Sequence, residues 1–373
     1  VMRITILQGA FLPVPALRGG AIEKAWEALG RSFSEKGHSV THVSRLCDGL
    51  PNEEKTGSVI HLRVKGSNAV RNPFILKCLE LPYVLRAKRV LPESDILVTH
   101  AFWAPIFLHA EKFGKLYVHV GRYPKGQMKL YRKASRFQVP SESIAKAVKQ
   151  EIPDREQLVS VLPYPLGWNV PEHEPIEGRP RRILYAGRLH PEKGVKELLD
   201  AFEGIPESKR EGWTLRIIGP WKESQGGGGE GYLAKLKETQ RKLGPCAEIC
   251  EPVFTPSQLT DEYRQARIFA YPSLAEKGET FGLAVLEAMS CGCVPFVSSL
   301  ECFREFIETP STGFAFDHKA GNWRDALQRG LVQTLASESK HESVSIEARK
   351  IAKSFELEKV SARYLEDFAR LLL

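Results

Sequence analysis

Short β-rich runs alternate with helical patterns along the first half of the chain, stop at a proline-rich passage, and then begin again. RITIL (3–7), SVTHVS (39–44), DILVTH (95–100), LYVHV (116–120) and RFQVP (136–140) read as strands. Between the first two, GGAIEKAWEALGRSFSEKGH (19–38) spaces its apolar residues near 3.6 and closes on glycine, as a helix does. After VLPYPLGWNVPEHEPIEGRP (161–180) the pattern returns. RRILYAGRL, WTLRIIG, RIFAYPS and VPFVSS read as strands, with VKELLDAFEGI and GYLAKLKETQRKLG as helices. Alternation of this kind builds parallel sheets covered by helices on both faces. The expected fold class is therefore α/β: two Rossmann-like, doubly wound parallel-sheet domains facing a central cleft. The expected division is 2–168, 169–355 and a last helix, about 357–372 within a 356–373 segment, packing back on the N-terminal domain.

Length agrees, since 373 residues suit two domains, or three. A hydrophobic content of 42% with 26% charged residues is ordinary for a globular protein. No run approaches the ~18 apolar residues of a membrane-spanning helix. MRITILQGAF reads as a first strand with no signal-peptide cleavage site, and Val1 reads as foreign to a native start at Met2. Seven cysteines, an odd number, point to a reducing, cytoplasmic setting and to small buried hydrophobes. Neither Cys291/Cys293 nor Cys246/Cys250 has the spacing or histidines of a metal site, and no Asp-x-Asp is present.

Charge is unevenly shared. Residues 1–170 hold 25 Lys and Arg against 14 Asp and Glu; residues 171–373 hold 28 against 31. A basic half joined to a slightly acidic half implies that the first half meets something anionic. Two stretches concentrate this. RNPFILKCLELPYVLRAKRVL (71–91) mixes large apolar residues with Arg71, Lys77, Arg86, Lys88 and Arg89, and KGQMKLYRKASR (125–136) has five cations and no acid. Each reads either as an ordinary solvated segment or as a surface for anionic membrane.

Open α/β sheets bind ligands beyond the carboxyl ends of their strands, and three loops stand there. LQGAFLPVPALRGGAIEK ends with Gly19-Gly20 opening a helix, either a phosphate-attracting start or ordinary punctuation. In YAGRLHPEKGVKELL a strand ends at Gly187, and Arg188 and Lys193 follow; two cations there suit a diphosphate, or are simply solvated. GETFGLAVLEAMSCGCVP (278–295) opens a nearly all-apolar helix near Gly282, leaving N–H groups of Phe281, Gly282 and Leu283 to donate to an anion. It nevertheless keeps two carboxylates, Glu279 and Glu287. Burying Glu287 without partners would cost several kcal/mol, which a ribose diol would offset, unless the side chain reaches solvent. QGGGGEG (225–231) reads as a mobile surface insertion, with a lid over a ligand as the alternative.

AGRLHPEKGVKELLDAF together with PSLAEKGETFGLAVLEAMSCGCVPFVSS resembles glycosyltransferase family 4, whose retaining enzymes have the two-Rossmann-domain GT-B fold. Glu279 and Glu287 match its E-x7-E motif; Arg188 and Lys193 match its G-R-x-x-x-x-K-G motif. The resemblance covers the second half strongly and the first half weakly. It implies a nucleotide-diphosphate sugar donor, UDP- or GDP-linked, gripped at the diphosphate by Arg188 and Lys193 and at the ribose by Glu287. Glu279 would contact the donor sugar, and the backbone of Phe281, Gly282 and Leu283 would meet sugar or phosphate. Gly20 matches the glycine-rich loop of the first domain. His119 matches a histidine near the reacting sugar, with a core histidine as its alternative; His100 is the weaker match. The implied catalytic set is Glu279, His119, Arg188 and Lys193. The implied reaction is retaining hexosyl transfer without cofactor or divalent metal, with front-face attack assisted by the leaving phosphate as one proposal.

The acceptor implied is a glycan or lipid-linked molecule of polysaccharide or glycolipid biosynthesis. The enzyme would be cytoplasmic or peripheral on the inner membrane face. Departures from the family pattern fall at YPLGWN (164–169), EPVFTPSQ (251–258) and the long LAEKGE loop, where Glu276 has Ala284, not Glu, eight residues on. Other classes remain: a GT-B-type phosphorylase, or a non-specific nucleic-acid binder suggested by a pI near 9.0. The basic stretches carry no nucleic-acid module and no aromatics at stacking spacing, so no specific nucleic acid is expected.

Overall fold

The computed structural model describes residues 1–373 apart from Arg18, Gly19, Arg71 and Phe254 and the side chains of Ala110 and Glu111. Gly19 of the glycine pair, Arg71 of the basic stretch and Phe254 of the EPVFTPSQ loop therefore lie outside the described residues. The chain forms two compact units: Val1–Gly167 with Phe355–Leu373, and Trp168–Ser354.

The first unit is built on β1 (Arg3–Leu7), β2 (Ser39–Arg45), β3 (Glu53–Thr56), β4 (Val59–Val64), β5 (Ile96–Thr99), β6 (Lys115–His119), β7 (Arg136–Val139) and β8 (Val159–Val161). Among the described residues they order as β3-β4-β2-β1-β5-β6-β7-β8. All pairings are parallel except that of β3 with β4. β5 is buried along its whole length, as a strand covered on both faces must be. The Ala21–Glu35 helix buries Trp26, Leu29 and Phe33 on one face of the sheet. The Pro73–Val90 helix buries Tyr83, Val84 and Ala87 on the other.

The last helix, Leu357–Leu372, returns to this unit. Its Tyr364 and Phe368 join the core of Trp26, Phe33 and Tyr117, and Trp26 meets Tyr364 edge-on at 5.3 Å. Polar contacts fix the helix as well. Ser32 Oγ donates to Ser361 Oγ (2.8 Å), Tyr117 Oη donates to Asp367 (2.8 Å), and Arg136 pairs with Asp367 (2.9 Å).

The second unit contains β9 (Arg182–Ala186), β10 (Thr214–Ile218), β11 (Ala247–Cys250), β12 (Ile268–Tyr271), β13 (Val294–Ser298) and β14 (Phe314–Phe316). They pair in parallel in the order β11-β10-β9-β12-β13-β14. The Val195–Glu203, Gly229–Leu243 and Leu283–Ser290 helices connect successive strands.

Candidate functional site

In the second unit strand order reverses between β9 and β12, so the loops after these two strands meet at a topological switch point. Arg188, Lys193 and Glu279 all lie on those loops. Gly194 explains how the loops touch. It has φ 69°, and a Cβ there would stand 2.2 Å from the Pro272 carbonyl oxygen, so only glycine permits both the turn and the approach.

Across that contact Lys193 Nζ donates to Glu279 Oε2 at 2.6 Å. The pair is largely withdrawn from water, with the Lys193 side chain 5% and the Glu279 side chain 12% exposed. Lys193 Nζ also stands 5.9 Å over the Tyr271 ring, which stacks on Tyr185 at 5.5 Å. Burial, reinforced by the nearby Glu279 charge, pushes the Tyr271 phenol well above its usual range, so it stays a neutral donor toward Glu279. Gly278 N and Glu279 N both donate to Ala275 O, closing a turn that fixes where the Glu279 side chain begins.

Arg188 stands at the loop's edge. Its Nη2 donates to Glu192 Oε1 (2.9 Å) and its Nη1 to Gly226 O (2.6 Å). Tyr185 Oη in turn donates to Arg188 O (2.9 Å). The glycine-rich segment is therefore not the mobile insertion that its composition suggests. Gly228 N donates to Leu189 O (2.8 Å) and Gly229 N to Trp221 O (2.8 Å), which fastens the segment beside Arg188. Gly187 ends β9 where Gly219 ends β10; a Cβ on Gly219 would stand 1.8 Å from Gly187 O.

Glu287 lies one turn into the Leu283–Ser290 helix, half-buried, and accepts from the buried phenol of Tyr263 (3.3 Å). Both carboxylates of the apolar segment thus have protein partners, Lys193 and Tyr263. Gly282 turns into the helix at φ 88°. Phe281 is 2% exposed and packs edge-on against Phe306, so any role it has in binding runs through its backbone; Leu283 opens the helix.

Two residues behind this site were not legible as partners. His318, buried, bridges Glu276 (Nε2···Oε1 2.7 Å) and Ser299 (Nδ1···Oγ 2.9 Å), so it ties the loop after β12 to the ends of β13 and β14. Glu276 is outside the E-x7-E pair, yet it anchors the loop that carries Glu279.

In the first unit the same reversal occurs between β1 and β5. Gly20 has φ 106°, and a Cβ there would meet Glu23 Oε2 at 2.2 Å; the glycine makes room for a buried carboxylate in the first helical turn. Burial raises the Glu23 pKa. His100 Nε2 accepts from Gly9 N (2.9 Å) and lies 3.8 Å from Glu23 Oε1. Burial, with the His119 and Arg122 charges behind it, pushes His100 down to about 3.

His119 ends β6 among buried polar groups. It is 3% exposed, with Nδ1 at 2.5 Å from Gln138 Oε1 and Nε2 at 3.0 Å from Tyr164 Oη. Both ring nitrogens are engaged, and burial pushes its pKa down to about 4. This is the geometry of a satisfied core histidine, the alternative reading of this residue. Sequence reading passed over Glu80 and Arg122. Glu80 accepts from Phe102 N (2.8 Å), and burial raises its pKa to about 7 against the pull of that bond and of Arg122. Arg122 follows His119 on the exposed loop after β6 and acts on Glu23, Glu80 and His100. Among the described residues, no group of three or more His, Cys, Asp or Glu is arranged to hold a metal ion.

Residues 168–351 match the family model described as "Glycosyl transferases group 1". Over those residues the chain is similar to that family. This stretch is nearly coextensive with the second unit, and it contains Arg188, Lys193, Glu279 and Glu287. A curated relative of the group 1 segment, the lipopolysaccharide 1,2-N-acetylglucosaminetransferase of Salmonella typhimurium, is 26% identical over 184 residues, 49% of this chain and 47% of the relative. The chain's matches span about half the length of the curated relatives. Solved structures match throughout. Sucrose-phosphate synthase from Thermosynechococcus elongatus has a TM-score of 0.77 at 17% identity, covering 99% of both chains. Anabaena HepE in complex with UDP and glucose has a TM-score of 0.71 at 16% identity, covering 99% of this chain and 100% of that one. The fold is therefore GT-B, with the group 1 domain as its C-terminal half.

Proposed function

We propose that the protein is a retaining glycosyltransferase that takes a hexose from a nucleotide-diphosphate sugar to a hydroxyl of a glycan or lipid-linked acceptor, without a divalent metal. The observation that carries this reading is the meeting of Arg188, Lys193 and Glu279 at one switch point of the group 1 unit, with Glu287 a helical turn beyond Gly282. Arg188 and Lys193 supply the positive charge that a departing diphosphate requires. Glu287, held by Tyr263, accepts from the ribose hydroxyls, and Glu279 accepts from the donor sugar. The N–H groups around Phe281, Gly282 and Leu283 face sugar or phosphate, and Gly187 and Gly20 let backbone approach the ligand closely. In the transfer the bond from the anomeric carbon to the diphosphate oxygen breaks. A new bond to the acceptor oxygen forms on the same face, and the acceptor's proton passes to the leaving phosphate. His119, its ring nitrogens held by Gln138 and Tyr164, stands near the reacting sugar.

HepE, similar in fold, was solved with UDP and glucose, which supports a UDP-linked donor as the first to test, with GDP-linked sugars next. The basic first unit supports an anionic or lipid-linked acceptor, and cytoplasmic placement at the inner membrane face goes with it. The test is incubation with each nucleotide sugar and chromatography of the products. Release of nucleoside diphosphate that stops in the Glu279→Ala variant supports the reading. Sugar phosphate formed from a glycan and inorganic phosphate, with release of the shortened glycan and without any nucleotide, supports a phosphorylase instead.

A further inference from the structure

One face of the first unit has no role in the core or in the donor site. The Pro73–Val90 helix turns Glu80, Tyr83, Val84 and Ala87 inward, and Tyr83 Oη donates to Gln8 O at 2.9 Å. Its outward face is apolar and cationic together. Phe74 is 76% exposed, Ile75 48%, Leu85 44% and Val90 40%. Helical spacing sets Phe74, Cys78, Pro82, Leu85 and Arg89 on one stripe, and each is exposed. Lys77 and Arg86 are exposed beside it, while the helix's single acid, Glu80, is buried. The start of this helix is ordered: Asn72 Oδ1 accepts from Phe74 N (2.9 Å) and Ile75 N (3.2 Å), so the exposed Phe74 sits on a capped turn.

The neighbouring segment extends the same chemistry. Trp103 Nε1 donates to Lys77 O (2.7 Å), Lys88 Nζ donates to Phe107 O (3.0 Å), and Lys77 Nζ lies 4.1 Å over the Phe102 ring. Half-buried Phe102, Trp103 and Phe107 thus border the cationic helix, the arrangement of an aromatic belt at a membrane–water boundary. The other basic stretch differs. Residues 125–136 form no long helix, Gly126 N and Met128 N donate to Glu151, and Lys129 and Arg132 share a surface hollow with Glu151 and Asp154. Two carboxylates, Glu151 and Asp154, thus stand beside its cations, with Arg155 in the same hollow, whereas the helix face has no exposed acid.

We propose that the outward face of the Pro73–Val90 helix docks on an anionic lipid surface, with Phe74 and Ile75 entering the headgroup layer and Lys77, Arg86 and Arg89 meeting lipid phosphates. Charge complementarity selects this occupant. Exposed cations with no exposed acid suit anionic headgroups, whereas a second copy would bring like charges together. Among the described residues no helix is long and apolar enough to cross a membrane, so the contact is with its surface.

The experiment is co-sedimentation of the full chain with vesicles of phosphatidylcholine alone and of equal parts phosphatidylcholine and phosphatidylglycerol, at low and high salt. Vesicle binding needs neither donor nor turnover, so its outcome stands apart from the transferase reading. Binding to the phosphatidylglycerol vesicles alone, weakened by salt, is expected. The F74S/I75S and R86E/R89E variants should each bind at least about tenfold more weakly, whereas K129E/R132E binds as the parent does. The substituted side chains are exposed, and unchanged thermal unfolding confirms that the variants fold. No binding at low salt, equal binding to both vesicles, or parent-like binding by both helix variants overturns the proposal. So does a dimer of the parent chain that F74S/I75S converts to monomer, which would identify a second copy as the occupant.

Discussion

At the scale of single residues, the Lys193–Glu279 pair decides most. Breaking a buried ion pair leaves a charge without its partner, at a cost of about 3 kcal/mol or more. Lys193→Ala should therefore lower the thermal midpoint and abolish donor binding together, while the Lys193→Met/Glu279→Gln double variant recovers stability but not turnover; calorimetry beside a product assay separates the two. Glu287→Ala should weaken donor binding and leave Tyr263 without its acceptor. Histidines give the pH response. His42 and His100 are pushed to about 3 and His119 to about 4, chiefly by burial. The unfolded chain protonates them near the ordinary value of about 6.5. Their contribution is full above that value and is lost as pH falls toward 4, roughly 2 kcal/mol each at pH 5. Urea unfolding at pH 7 and pH 5 checks this, and His119→Gln should reduce the difference by about 2 kcal/mol. The four motif residues were legible as a set because motif spacing carries chemistry directly. The partners Tyr263 and Tyr271, and His318 behind Glu276, were not, since each arrives from another part of the chain, and nothing local distinguishes a phenol bound to a carboxylate from one in the core.

Among the elements, the strands buried on both faces were readable as apolar runs, and β1, β5, β9 and β12 are of that kind. The ones that escaped lack this signal. β3 is mostly exposed, β4 is buried only at alternate residues, β8 and β14 are three residues long, and β11 is a four-residue strand with one fully buried residue. The glycine-rich segment misled for a similar reason, because composition reports freedom in the unfolded chain and not the bonds made on folding. Gly227 shows what those bonds demand: a Cβ there would stand 2.2 Å from the Trp221 backbone. Gly227→Ala should displace the segment, release Arg188 Nη1 from Gly226 O, and raise the KM for donor several-fold with little change in the thermal midpoint. Steady-state kinetics beside a melting curve tests the split.

For the whole molecule, the alternation of elements showed two α/β halves, and the proline-rich passage lies where one unit gives way to the other. What the alternation could not show is how firmly the last helix belongs to the first unit. A helix with no following strand is unconstrained by sheet logic, and its place is fixed by Tyr364, Phe368 and Asp367 reaching Trp26, Phe33 and Tyr117. Tyr364→Ala should cost about 3–5 kcal/mol, read by denaturant unfolding. The basic excess also belongs to the first unit, and the group 1 residues to the second, so the proposed acceptor and donor chemistry divides between the halves. Everything proposed for the donor side depends on a nucleotide-diphosphate sugar being held by Arg188, Lys193, Glu279 and Glu287. Thermal shift against UDP-, GDP- and ADP-sugars and their free diphosphates, without added metal, measures this. A ligand that binds only the folded state raises its stability by mass action. One base family should raise the midpoint, and Glu287→Ala should abolish the rise. No rise with any of them, or the same rise in Glu287→Ala, would contradict donor binding at these residues.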